Sequence, residues 1–170
     1  QWPAAPALRS PGRLIVLEKP DAVQTAIVAG GPTRWEVGLD AILGSMSTRV
    51  LGGGFESRLM RSVREGLGAA YGIRAGFQQV HLQNLLLNIT TQVDNTKAVD
   101  AVAAIRREYA KLYADGVTTA EIEPLKTRLV VDMREQMRRS TGAAQSTRDR
   151  LLAGFPVDFP MQYEARVKTV

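Results

Sequence analysis

Cysteine is absent from the 170 residues, and histidine occurs once, as His81. Without thiols, a disulfide scaffold, a cysteine nucleophile and any thiolate metal site are excluded together. A zinc centre ordinarily takes at least two imidazoles or thiolates, with carboxylates completing the set. One imidazole therefore leaves no self-contained zinc site, and it removes most histidine-based acid–base mechanisms. His81 falls between two strand-like runs, where a surface position is expected rather than metal ligation. Long apolar runs are also missing: no stretch approaches the ~20 residues of a membrane span, so no membrane segment is expected. The opening Gln1-Trp2-Pro3 shows none of the regions of a signal peptide.

What is present suits an ordinary folded domain. Hydrophobic residues make up 45% of the chain, enough to bury a core. Residues 1–12 read as a Pro/Ala-rich lead-in, and residues 13–170 as one domain, expected to be a piece of a longer chain. The net charge of +5 raises the question of a polyanionic partner. Most of the surplus lies between Lys126 and Arg150, among acidic neighbours and helix formers. With no recognition-helix or aromatic RNA-binding signature beside it, this stretch reads as a solvated helix face, and nucleic acid is a remote alternative.

Periodicity predicts the elements. Arg13–Glu18 and Val23–Ala29 read as two strands around the turn Lys19-Pro20-Asp21. From Trp35 to Val50 the apolar residues recur at helical spacing, and Leu51-Gly52-Gly53-Gly54 ends that helix. Phe55, Leu59 and Val63 form the stripe of a short second helix, with Arg64 near its C-terminal end and Gly66-Leu67-Gly68 as its stop. Residues 69–80 read as a strand in which Gly72 and Gly76 suggest bulges, followed by a turn over Gln78–Gln83 and an alternating strand through Leu85, Leu87, Ile89 and Val93. A long helix closes at Gly116, and Thr118-Thr119-Ala120-Glu121 is a capping box for the next, running to about Arg139. Ser140-Thr141-Gly142 should break that run before a helix over about 143–153 and a last helix. The order predicts an α+β fold, an antiparallel sheet of four or more strands with helices on one face.

The segment from Leu51 to Gly72 is the most distinctive. Glycines ahead of a helix could form an anion nest, or they could let one helix turn tightly into the next. A phosphate loop would require Gly-Lys-Ser/Thr at its end, and Phe55-Glu56-Ser57 is not that. Taken singly, Arg64 reads as an exposed cation at a helix C-terminus and Tyr71 as a strand aromatic half in the core.

LGGG-F-x-SRL followed by RE-x-LG-x-x-YG resembles the second-half motif of the insulinase/pitrilysin zinc metallopeptidases, a family that includes mitochondrial processing peptidase and bacterial two-subunit relatives. The run from Gly12 to Gly30 resembles the family's strand, Lys/Arg-Pro-x-x-x-Gln, strand entry, and Tyr109 to Leu129 resembles its helix, Gly-hydroxyl-x-x-Glu, helix link. The resemblance implies a noncatalytic half that contributes Arg64 and Tyr71 to substrate binding or transition-state support. Gly52, Gly53, Gly54, Phe55, Ser57, Arg58, Gly68 and Gly72 would be its scaffold. It further implies a heterodimer or fused chain in which an H-x-x-E-H domain carries the zinc, with a peptide or unfolded polypeptide as substrate. By the same resemblance the chain would be a soluble component of a bacterial periplasm or cytoplasm, inactive alone. A structural relative of the respiratory core-protein kind, without proteolysis, is the alternative. Pro124 departs from the family's pattern.

Overall fold

A computed structural model describes residues 12–34, 39–81, 84–152 and 154–170. Three strands form one antiparallel sheet in the order β1-β3-β2: β1 (Gln24–Arg34), β2 (Ala70–His81) and β3 (Asn84–Asp94). The central strand alternates as its sequence predicts. Leu85, Ile89, Thr91 and Val93 are buried, while Gln92 faces out. The Asn95 side chain pins the start of β1 by donating to the Ala22 carbonyl at 2.6 Å.

The described helices pack on the inner face of the sheet. A turn of 3-10 helix (Asn95–Lys97), capped by Asp94, leads into α2 (Ala98–Asp115). The buried Ala101, Ala104 and Ile105 of α2 meet Ile27, Ile89 and Val93 of the sheet. Small side chains let that helix approach closely, so its buried stripe is centred on these residues, and Tyr109 stays 44% exposed. Against β2 lie α1 (Leu39–Gly52) and a π-helix (Met60–Gly66). A second core joins α1 to the helical end of the molecule, where Ile42 and Met46 pack with Leu129, Phe159 and Val167. Those residues belong to α3 (Thr119–Arg138) and α5 (Phe159–Lys168), with α4 (Ser140–Leu152) between them in sequence. Every described helix is too short or too polar to cross a membrane.

The antiparallel α+β architecture agrees with the sequence, and several details do not. The expected strand at residues 13–18 does not form, which leaves three strands instead of four or more. Leu14, Ile15, Val16 and Leu17 are 71–88% exposed. Four consecutive apolar residues specify burial on both faces, and the described chain offers no such slot. Phe55 lies outside the short helix and is 70% exposed, so it is not part of an apolar stripe. Of the two glycines expected at bulges, Gly72 sits at a register shift and Gly76 pairs regularly with Asn88. His81 is the last residue of β2, opposite Asn84, and not part of a turn. The break between α3 and α4 falls at Arg139, which is extended, and Ser140 already begins α4. The lead-in up to residue 11 and the expected helix start at Trp35 lie outside the described residues.

Candidate functional site

The last residues of α1 set the floor of the site. A Cβ on Gly52 would stand 2.5 Å from the Ala75 backbone nitrogen, so only glycine lets the helix end abut β2 this closely. The Gly53 amide still donates to the Arg49 carbonyl at 2.8 Å, and the chain then leaves the helix at Gly54. The Ser57 hydroxyl and amide both donate to the Gly54 carbonyl, at 2.6 and 3.1 Å, closing a tight loop that holds Phe55 outward. Ser57 itself is buried.

From this loop the chain enters the π-helix, a wide-turn geometry found mostly in single turns at functional sites. Leu59 and Val63, both fully buried, anchor it to the sheet core. Arg58, just ahead of it, points away from the groove. Its guanidinium donates to both carboxylate oxygens of Glu121, from Nε at 2.7 Å and from Nη2 at 2.8 Å, and Nη2 also reaches the Gly116 carbonyl at 2.9 Å. Glu121 also completes the capping box with Thr118. The Arg58 hydrogen bond, helped by those from Thr118, holds the Glu121 carboxyl down at about 2. This charge-assisted fork bolts the start of the π-helix to the α2–α3 corner.

At the other end, Gly68 turns the chain at φ +55°, a left-handed conformation that favours glycine. The Lys97 ammonium caps the adjacent Leu67 carbonyl at 2.7 Å. The strand β2 follows, and its register slips by one residue between Ala70 and Ile73. The buried Thr91 hydroxyl of β3 donates to the Gly72 carbonyl at 2.8 Å and so stabilises this bulge. Tyr71 is carried out of the ladder by it and is 94% exposed.

Arg64 and Tyr71 are thereby brought together. The Arg64 guanidinium lies 5.8 Å from the Tyr71 ring centroid and 5.3 Å from that of Phe55, within cation–π range of both. Neither Arg64 nor Tyr71 has a carboxylate or carbonyl partner among the described residues. They line an open groove of about 910 Å³ with Gly52, Gly53, Gly54 and the outer face of the sheet. Such a cleft suits an extended chain, with a guanidinium and a phenol free to donate to carbonyl oxygens.

Of the residues singled out by sequence, Gly52, Gly53, Gly54, Phe55, Arg64, Tyr71 and Gly72 line the groove, while Ser57, Arg58 and Gly68 hold its backbone. Sequence reasoning missed the Thr91 brace, the Glu121 bolt and Arg74, which lines the same groove. Thr91 could have been found as the one polar residue at an inward position of β3 between Ile89 and Val93. A bidentate partner 63 residues away has no local signal. Among the described residues no three His, Cys, Asp or Glu side chains stand together as metal ligands. With one histidine and no cysteine, the described residues offer no zinc-ligand set.

Of the seven cations between Lys126 and Arg150, four are ion-paired, three within their own helix and Arg134 of α3 to α5. Lys126 meets Glu123, Arg134 meets Glu164, Arg138 meets Glu135 and Arg148 meets Asp149.

Comparison with known proteins places this geometry. A peptidase M16 inactive domain from Pseudomonas fluorescens superposes with a TM-score of 0.71 at 20% identity, over 88% of this chain and 35% of that one. A protease from Helicobacter pylori gives 0.76 at 18% identity, over 89% of this chain and 36% of that one. A candidate zinc protease from Bordetella pertussis gives 0.71 at 12% identity, over 89% and 82%. The chain thus spans about a third of two of these relatives, and at such identities the likeness is one of fold. No curated protein matches. The family model described as the peptidase M16 inactive domain matches residues 2–129, and the chain belongs to that family.

Proposed function

We propose that this chain, a single domain over residues 13–170, is the noncatalytic, substrate-binding half of a zinc-dependent peptidase, and that Arg64 and Tyr71 hold the peptide. The observation that carries this reading is the Arg64 guanidinium between two exposed rings on the wall of an open groove, with no anion among the described residues to neutralise it. An arginine placed for stability would be expected to resemble Arg58, with its donors engaged by a carboxylate. Arg64 keeps its donors for a ligand, in the rigid planar fork that suits oxygen acceptors.

An extended peptide in the groove would present carbonyl oxygens to Arg64 and to the Tyr71 hydroxyl. Hydrogen bonds from both orient the chain, and either strengthens if negative charge develops on the oxygen it holds. The zinc belongs on a partner domain bearing H-x-x-E-H, in the same parent chain or on a separate subunit. That domain supplies the hydrolytic chemistry, while this chain supplies positioning and part of the enclosure.

Reconstitution tests the reading. Combined with its zinc-bearing half, the chain should support cleavage of a quenched fluorescent peptide. Arg64→Ala should lower kcat/KM by about 10²-fold, the scale of losing one preorganised donor, with assembly intact by gel filtration. Tyr71→Phe should lower it less. Unchanged turnover in both variants sinks the assignment of the site, and peptide binding without turnover in any pairing favours the structural-relative reading.

A further inference from the structure

Resting on the reading of the groove as a peptide site, we infer that it selects peptides carrying a carboxylate side chain, and that Arg74 is the selecting residue. Among the described residues the groove is charged in one sense only. Arg64 and Arg74 line it, and the remaining lining residues are apolar, neutral polar or glycine, with no aspartate or glutamate among them.

Arg74 stands on the outward face of β2, exposed, with no hydrogen bond or ion pair among the described residues. In register it lies opposite Thr90, which in turn faces Val28 on β1. Its neighbours along the outer face are therefore Thr90, Asn88, Gln92 and glycines, none of which can neutralise it. Among the described residues, nearby acids do not reach into the groove. Glu56 is 94% exposed and pairs with Arg61, Asp94 is taken by Thr96, and Glu65 is exposed on the π-helix without lining the groove.

The two arginines are differently held, and that divides their work. Arg64 is fixed against Phe55 and Tyr71, which suits a contact common to every peptide, the backbone carbonyl. Arg74 is unrestrained on a flat face and can reach a side chain that varies between peptides. A peptide is favoured over a nucleic acid because two cations neutralise too few phosphates for appreciable affinity, and because Gln24, Thr90 and Gln92 offer neutral donors and acceptors on the same face. An exposed cation on an edge strand also discourages pairing between sheets, but that role predicts no preference for ligand charge.

The test is fluorescence anisotropy with the full 170-residue chain and three labelled peptides that differ only in a central Glu, Gln or Lys. The Glu peptide should bind about fivefold tighter than the Gln peptide at low salt, the scale of one exposed ion pair, and the Lys peptide weakest. Arg74→Gln should level the series and Arg74→Glu should invert it, with melting temperatures unchanged because the side chain is exposed. Equal affinities in the wild type, or a preference that survives Arg74→Gln, overturn the inference. If the three peptides bind equally and Arg64→Ala weakens them all, the groove remains a peptide site and charge selection alone falls. If none binds, both readings fall. A single-stranded oligonucleotide that binds more tightly than the Glu peptide and is lost on Arg74→Glu reassigns the face to nucleic acid and overturns the peptide claim.

Discussion

Arginine meets aromatic rings in two regions of this molecule, and the two clusters differ in what surrounds them. At the helical end, Arg150 lies 5.7 Å from the Phe159 centroid and 5.9 Å from that of Tyr163, with Arg166 5.7 Å from Phe159 on its own account. Phe159 is only 3% exposed there, and it meets Phe155 and Tyr163 at centroid distances of 4.4 and 5.9 Å. At the groove, Arg64 makes equivalent contacts with Phe55 and Tyr71, but these rings are 70% and 94% exposed. The first cluster spends its apolar surface on holding helices together. The second leaves that surface exposed, so its residues should matter little to folding.

The largest effect should come from Phe159→Ala. Removing a buried phenylalanine costs about 4 kcal/mol, and urea unfolding should show it, with amide exchange accelerated first in α3 and α5. If the sheet loses protection equally, the two cores are one cooperative unit and the contrast fails. Next comes Glu121→Gln, which leaves Arg58 without its carboxylate and should cost about 2 kcal/mol. The same bond gives a pH signature. Because the carboxyl is held down at about 2 against an ordinary 4.5, its contribution is fully present above 4.5 and fades as pH falls towards 2. The wild type should therefore destabilise over that window more steeply than Glu121→Gln, and parallel curves would show that the bolt carries no weight.

A smaller effect of opposite sign is expected at Arg150. Burial pushes its guanidinium below the usual arginine range, and its Nη1 is buried without a hydrogen-bond partner among the described residues. Arg150→Met keeps a long side chain beside Phe159 and should leave stability unchanged or raise it by about 1 kcal/mol. A clear loss would mean the ring contacts outweigh the desolvation. Smallest of all, Phe55→Ala and Tyr71→Phe should shift stability by under about 0.5 kcal/mol, as exposed positions do, while peptide binding weakens. Destabilisation at either would make the groove cluster structural after all and erase the distinction.

The sequence already carried much of this. Alternation through Leu85, Leu87, Ile89 and Val93 is a property of one strand, and Thr118 with Glu121 is a property of one helix start, so both were legible. The family motif brought Arg64 and Tyr71 forward from positions where each alone looks ordinary. The failures share a cause. Leu14–Leu17 has the composition of a strand, but strand formation depends on a neighbour to pair with, which composition does not encode. Phe55 sits one helical turn ahead of Leu59, yet the Ser57–Gly54 loop takes it out of the helix. Arg58 reads in the sequence as motif scaffold, but its Glu121 partner is set by tertiary placement, and so is the Thr91 brace under Gly72.

The π-helix and the bulge in β2 have one thing in common: each contains a residue that the regular repeat has no room for. In an α-helix each residue advances about 100° around the axis, and in a strand each residue changes face. An extra residue is therefore a slip of phase, and Arg64 and Tyr71 each ride on one. Excising a single residue from the π segment would restore the regular helical repeat and rotate the C-terminal remainder of that helix about its axis. Excising one at Tyr71–Gly72 would let the flanks pair in plain alternation, Ala70 with Val93 and Ile73 with Thr91, and so remove the bulge that carries Tyr71 out of the ladder. Point substitutions here can be mild, whereas loss of one residue at either slip removes the irregularity that carries Arg64 or Tyr71 to the groove.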